Sequence, residues 1–359
     1  MKILDWYIIK KYVSAYVFII LAMTVIIVVF DTSERVDDFV EKNAPLSEII
    51  FDYYGHFVPY LITMFSGLFA FIAVIFFTSK MASHTEIVAM LSNGVSFGRI
   101  MRPYLMVAVV IALFNGYLAN FVIPAAAQKG YEFDAKYLKP AFYNNNRNIH
   151  RQTQRGRYAY IESFQVHSQT ASKFSLENIS DGQLHSKLTS SYAQWDTAKN
   201  VWHVHDYVLR TITDSGEVIR QGKDLDTLIN LTGTDLSVRL NTIVVTMGYR
   251  EINDYIDMLL LQGANANVAL IEKHKRFAYP VASIILTIIG VCLSSRKVRG
   301  GMGLHIGIGV GLSFAYILLQ RFSEIIFVQT NTLSPAMALW IPNVLFLLIG
   351  LWLYHKTPK

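Results

Sequence analysis

Lys273, Lys275 and Arg276 stand at the entry to a long apolar run that begins at Phe277. Cations at that level meet the phosphates of lipid headgroups, or else snorkel toward water along their aliphatic stems. Glu86 opens a second candidate segment, Glu86-Ile87-Val88-Ala89-Met90-Leu91-Ser92-Asn93-Gly94. An acid in the first turn, apolar residues behind it and an Asn-Gly stop describe a short helix over residues 83–93, capped by Ser83 or Thr85. It is too short to span a bilayer and too apolar to float free. Either it is a lever moved by a soluble motor, or it is a passive turn lying on the membrane surface.

Other chemistry is thinner. His203 and His205 share a strand face beside Asp206, but a metal site wants a third and fourth ligand that nothing in the sequence assigns. Hydrogen-bonded or solvated histidines are the default. Arg147, Arg151, Arg155 and Arg157 could hold phosphate, but an exposed loop is the default reading. Gly300-Gly301-Met302-Gly303 lacks the Gly-Lys-Ser/Thr ending of a phosphate-cradling loop and reads as a tight turn. Gly303, Gly307 and Gly311 make small-xxx-small pairs that allow close helix packing. No nucleophile–base pattern stands out, and the apolar runs carry almost no ionisable groups, which disfavours an ion-coupled carrier. Energy for uphill movement must then come from a partner. Cys292, the one cysteine, lies in an apolar run, so no intrachain disulfide is available.

Positioning these groups falls mainly to membrane spans. The 359 residues are 53% hydrophobic and 16% charged, against about 25% charged in soluble domains. The deficit is concentrated in six stretches: Tyr12 to Phe30, Phe57 to Ser79, Pro103 to Gln128, Phe277 to Ser295, Gly300 to Gln320 and Ile325 to His355. About 20 apolar residues in a helix cross a ~30 Å hydrocarbon core. Lys2, Lys10, Lys11, Lys80, Arg99, Arg102, Arg296, Lys297, Arg299, Lys356 and Lys359 fall in the termini and loops of one side. By the charge rule that side, with both termini, is cytoplasmic. The +6 net charge is accounted for by orientation, with no nucleic-acid partner. Arg321 and Glu324 either pair on one helical face or mark the interface where the span leaves lipid. Ser334 and Pro335 read as a cap and first-turn proline.

Between the two groups of spans lies a polar, extracytoplasmic domain. Tyr158 to Val166 alternates with a period near two, and Val201 to Thr213 reads as a strand after a turn at Trp195–Asn200. Asp214, Ser215 and Gly216 signal the next turn. The pattern predicts roughly eight to ten strands over 140–245, in an antiparallel sandwich or half-open barrel. Glu251 to Arg276 is amphipathic around a break at Gly263, with Ile252, Tyr255, Ile256 and Leu259 on one face.

Order and spacing of these features resemble the lipopolysaccharide-export permeases of the LptF/LptG family over essentially the whole chain. The carrying motifs are Leu4-Asp5-Trp6-Tyr7-Ile8, the Glu86 to Gly94 connector, Tyr279-Pro280 at the start of the fourth span, and the glycines from Gly301 to Gly311. The N-terminus and Arg35-Val36-Asp37 are somewhat more similar to the LptG branch. The resemblance implies six transmembrane helices with an inserted jelly-roll-like periplasmic domain. The domains are then residues 1–130 with the coupling helix, 131–250 for the β-rich domain, and 251–359 for the linker helix and last spans.

The resemblance also implies partners. A second permease subunit, paralogue or self, pairs with this one in a Gram-negative inner membrane, over two cytoplasmic ATPase subunits that bind ATP and Mg. This chain binds no cofactor or metal of its own. Glu86, Ile87, Met90, Leu91 and Gly94 form the ATPase contact. Spans one and five line a lipid cavity, and a basic residue near the outer end of span one, here Arg35, contacts lipid phosphates. Lipopolysaccharide passes from that cavity to a periplasmic bridge protein. Two alternatives compete: a mechanical coupler that rearranges the outer domain without moving lipid, and a membrane-anchored enzyme with its active site within residues 130–245. The first predicts no lipid crosslink, the second turnover by the isolated domain.

Overall fold

The computed structural model describes residues 3–138, 147–180, 182–213, 216–233, 236, 240–295, 301–327 and 333–357. Lys2, Asn144, Asp214, Ser215, Arg296, Lys297, Arg299, Gly300, Gln329 and Lys359 lie outside them. The chain divides into two compact units, Met1–Leu138 with Leu270–Lys359, and Lys139–Ala269.

The first unit is helical. Helix α1 (Ile3–Glu41) is followed by α2 (Tyr54–Met64), α3 (Ser66–Ser83), the short α4 (Glu86–Ser92), α5 (Phe97–Tyr117) and α6 (Ile123–Phe133). A wide turn at Leu118–Val122 runs α5 into α6, so residues 97–138 form one helical run. Tyr12, Phe77 and Tyr104 stack at the meeting of α1, α3 and α5, with ring centroids 5.2 to 6.1 Å apart. Tyr12 and Tyr104 do not bury bare hydroxyls. Tyr12 shares a hydrogen bond with Thr287 at 2.8 Å and Tyr104 one with Thr78 at 3.0 Å. In an apolar interior each such bond offsets the desolvation of two groups.

Five helical runs among the described residues are long and apolar enough to cross a membrane: Ile3–Glu41, Ser66–Ser83, Phe97–Leu138, Asn267–Ser294 and Pro335–Lys356. The expected six is corrected to five on this count. The stretch from Gly300 folds as helix Gly301–Phe322, but several side chains of its first turns lie outside the described residues. The second expected span is broken at Phe65, whose backbone leaves helical geometry between α2 and α3.

The second unit holds strands β1 (Arg147–Gln154), β2 (Arg157–Gln165), β3 (Thr170–Ser180), β4 (Gln183–Asp196), β5 (Val201–Thr213) and β6 (Gly216–Thr227). They form one antiparallel sheet in the order β1-β2-β3-β4-β5-β6. This meander corrects the jelly-roll-like domain, and the expected eight to ten strands are six among the described residues. A jelly roll needs two sheets with crossovers between strands distant in sequence. Here every strand pairs with its chain neighbour, because short turns leave no length for a crossover. At Gly156 (φ 78°) the backbone is left-handed, which glycine adopts without strain. Asp196 builds another turn by accepting from the amides of Ala198 at 2.8 Å and Lys199 at 3.1 Å.

Ala159, Ile161, Phe164, Phe174, Leu188, Trp195, Trp202 and Val204 form the core of this unit, covered by Leu231 and Leu236. Trp202 is fully buried and donates its indole N–H to the Leu231 carbonyl at 2.7 Å. After α7 (Leu240–Thr246), helix α8 (Tyr249–Leu261) buries Ile252, Tyr255, Ile256 and Leu259. Gly263 (φ 63°) separates it from α9 (Asn267–Ser294), and α10 (Gly301–Phe322) and α11 (Pro335–Lys356) complete the chain. Ser334 caps α11 by accepting from the Met337 amide at 3.3 Å, with Pro335 in the first turn.

Candidate functional site

The connector between α3 and α5 is built from the residues its sequence singled out, but with a different cap. Thr85 precedes α4 in the left-handed region (φ 62°), and its hydroxyl donates to the His84 carbonyl at 2.6 Å instead of accepting from the helix. Ser83 donates to the Lys80 carbonyl at 2.8 Å. Neither hydroxyl caps α4. Its end is as anticipated: Gly94 (φ 80°) turns the chain while its amide and that of Val95 close on the carbonyls of Leu91 and Met90.

Around this helix the side chains divide. Ile87 is 2% exposed and enters the same core as Ile8, Tyr12 and Phe97, with Met90 and Leu91 packed against it. Val88 remains 53% exposed. Glu86 accepts a hydrogen bond from Tyr7 at 2.9 Å and stands 3.9 Å from His84 Nδ1, its side chain one-third exposed. Nearby, Arg99 grips Asp5 through two contacts of 2.6 and 2.8 Å. Asp5, Tyr7 and Arg99 were not singled out as functional by sequence reasoning. The partners are 79 and 94 residues apart in the chain, so only the fold brings them together.

The cations proposed for lipid are placed differently from one another. Lys275 is ion-paired with Glu324, which also takes Arg321 at 3.5 Å. Arg321 and Glu324 thus pair across one turn, as one of the two sequence readings has it. Arg276 is 4% exposed and lies 3.5 Å from Glu272, one turn back on α9. Lys273 is half-buried. With Tyr60, Thr63, Ala119, Ile123 and Tyr279, the groups Glu272, Lys275 and Arg276 line a small cavity of about 40 Å³. Arg35 is bonded to Asp31 at 3.0 Å and lies over the Tyr53 ring at 5.6 Å, while Asp31 also accepts from Tyr53 and Tyr54. These cations therefore carry carboxylate partners from the same unit, apart from Lys273, for which no ion pair exists among the described residues.

Helix α1 exposes a long apolar face. Only 11% of its most apolar window is buried within the chain, against 72% for Ser66–Ser83. Val17, Phe18, Leu21, Val25, Val29 and Phe30 are all exposed. On α10, Gly303, Gly307 and Gly311 have, among the described residues, no atom within 4 Å of where a Cβ would stand, so they make no close helix contact there. Gly309, on another face, is the glycine that does: a Cβ there would lie 2.1 Å from Ile75 Cδ1.

In the sheet, His203 is held between Asp226 and Asp196, the latter at 3.3 Å, and His205 bonds Asp224 at 2.6 Å. The two flanking carboxylates, Asp226 foremost, raise the His203 pKa above its ordinary value. Among the described residues no cluster of His, Cys, Asp and Glu has the arrangement of a metal site, and the histidines serve as cross-strand hydrogen-bond partners.

A family model described as lipopolysaccharide export system permease LptF/LptG matches residues 6–356. No match is found among curated proteins.

Proposed function

Because this chain belongs to the LptF/LptG family of lipopolysaccharide export permeases, we propose that it is one of two paired subunits worked by cytoplasmic ATPases. It is a membrane permease subunit and not an enzyme; the hydrolysis belongs to its partners. The observation that carries the coupling assignment is the division of side chains on α4. Ile87, Met90 and Leu91 root the helix in the bundle, while Glu86 and Val88 are left accessible. A force on Glu86 therefore reaches α1, α3 and α5 through packed contacts and not through a flexible loop.

The bare apolar face of α1 supports the pairing. An amphipathic lipid needs an apolar wall along its acyl chains, and the exposed side chains of Val17, Phe18, Leu21, Val25, Val29 and Phe30 offer one. Arg35, Lys273, Lys275 and Arg276 remain the candidates for headgroup phosphates, with Lys273 the one lacking an ion pair among the described residues. In this reading the inner membrane of a Gram-negative cell holds the spans, α4 and both termini face the cytoplasm, and residues 139–269 face the periplasm toward a bridge protein. The Arg35-Val36-Asp37 segment favours the LptG branch.

The test is copurification in mild detergent, reading the proteins and the lipid retained. ATPase subunits, a second permease and lipopolysaccharide should be recovered together. A complex with ATPase but no lipid, and no lipid crosslinks from Lys273, would favour the mechanical coupler. Site-specific labelling that placed residue 86 and residue 200 in the same aqueous compartment would overturn the orientation.

A further inference from the structure

The N-terminal segment Leu4-Asp5-Trp6-Tyr7 has no part in the mechanism proposed above, yet two of its side chains bracket the connector. At one end Tyr7 donates to Glu86 in the first turn of α4, at 2.9 Å. At the other, Asp5 receives both terminal nitrogens of Arg99, Nη1 on Oδ1 at 2.6 Å and Nη2 on Oδ2 at 2.8 Å. Arg99 lies in the first turn of α5, immediately past the Gly94 stop. Between these attachments Ile87 enters the core beside Ile8 and Tyr12. The start of α4, through Glu86, and the start of α5, through Arg99, are thus both bonded to the first turns of α1.

The two polar contacts differ in kind. Asp5 is 4% exposed, and its carboxylate takes one charge-assisted hydrogen bond, from Arg99 Nη2, beside a close ion-pair contact with Nη1. Tyr7 and Glu86 are partly open to water, so their bond orients the carboxylate more than it anchors the helix. Anchor and aim are therefore separate functions of two residues one turn of α1 supplies.

We infer that Asp5 and Tyr7 are positioning residues of the export machine. They clamp the connector to the first span, hold the Glu86 carboxylate in its orientation, and deliver a displacement of α4 to α1. The inference rests on the coupling role proposed for Glu86.

The experiment uses the full chain, assembled with its paired permease and ATPase subunits in proteoliposomes containing lipopolysaccharide. ATP hydrolysed per lipid released is measured for wild type, Y7F, D5N, D5R, R99D and the D5R/R99D exchange. The amount of ATPase copurified is measured in parallel. A nitroxide on V88C, in a C292A background and without ATPase, reports the mobility of α4. Y7F and D5N should raise the ATP consumed per lipid at least threefold at unchanged ATPase content, and the label should gain mobility. D5R and R99D should each uncouple, and the exchange should recover most of the ratio. A role confined to stability would lower the yield of complex and leave the ratio alone. Y7F removes one oxygen and keeps the ring, so it decides if D5N fails to assemble. Wild-type ratio and label mobility in Y7F and D5N overturn the clamp. An E86K complex with normal ATPase binding and coupling would instead overturn the role of Glu86; the nitroxide in D5N would still report whether the clamp holds α4.

Discussion

The ammonium of Lys275 on α9 rests on the carboxylate of Glu324, just beyond α10, and Arg321 reaches the same carboxylate at 3.5 Å. One acid therefore serves two cations, with the Glu324 side chain 14% exposed. Lys275, read from sequence as a headgroup contact, is committed to a helix–helix tie in the isolated chain.

The two sides of that tie should respond unequally. K275Q leaves Glu324 with Arg321 and orphans nothing. E324Q strips the counter-charge from both Lys275, 19% exposed, and Arg321, 37% exposed, at a cost below the about 3–5 kcal/mol of a fully buried orphaned charge. Thermal unfolding in detergent should show E324Q the less stable variant. A larger loss in K275Q would mean that Glu324 is not the shared hub.

Reversal of Glu86 acts on the surface and not on the core. The side chain is one-third exposed and its bond to Tyr7 is partly solvated, so E86K should unfold within a few degrees of wild type. Copurified ATPase should fall by about tenfold, equivalent to ~1.4 kcal/mol. Normal assembly together with normal export would remove the coupling role.

Glycines of α10 divide by what lies against them. A methyl group at position 309 collides with Ile75 Cδ1, whereas at 307 it meets nothing within 4 Å. G309A should cost about 1–3 kcal/mol, the range for overpacking, and G307A should leave the isolated subunit unchanged. I75V deletes the obstructing Cδ1, so I75V/G309A should be more stable than the sum of the single changes. Additivity within about 0.5 kcal/mol would place the two residues apart.

His203 makes the edge of the sheet sensitive to pH. Its pKa is raised, first by Asp226 on β6 and then by Asp196 at the end of β4, and Asp196 itself is lowered, first by the Lys199 amide. A raised folded value stabilises below the unfolded pKa of about 6.5, and the contribution disappears as pH rises through the folded value. Hydrogen exchange of β6 amides, corrected for intrinsic rates, should therefore show less protection at pH 8.5 than at pH 5.5. H203Q should reduce the difference, with the His205–Asp224 contact still joining β5 to β6. Equal protection at both pH values in wild type would show that the imidazolium does not hold β6.

How much of this was written locally can be followed residue by residue. Apolar runs, the Val201–Thr213 strand, the face Ile252-Tyr255-Ile256-Leu259 and the Gly94 stop were all legible, because each depends on side chains within a turn or two of one another. Length, hydropathy and periodicity determined by themselves that this is a membrane protein with a strand-rich insertion and a short connector helix. Which strand lies beside which was not local information. Alternation makes a strand but does not choose its neighbours, and the short turns decided for a consecutive meander over a jelly roll. Tertiary structure alone decided that Asp5 meets Arg99, that Tyr7 meets Glu86, and that Lys275 is neutralised by Glu324. Such pairs are selected by the cost of leaving a charge in an apolar interior, and that cost exists only once distant helices have packed.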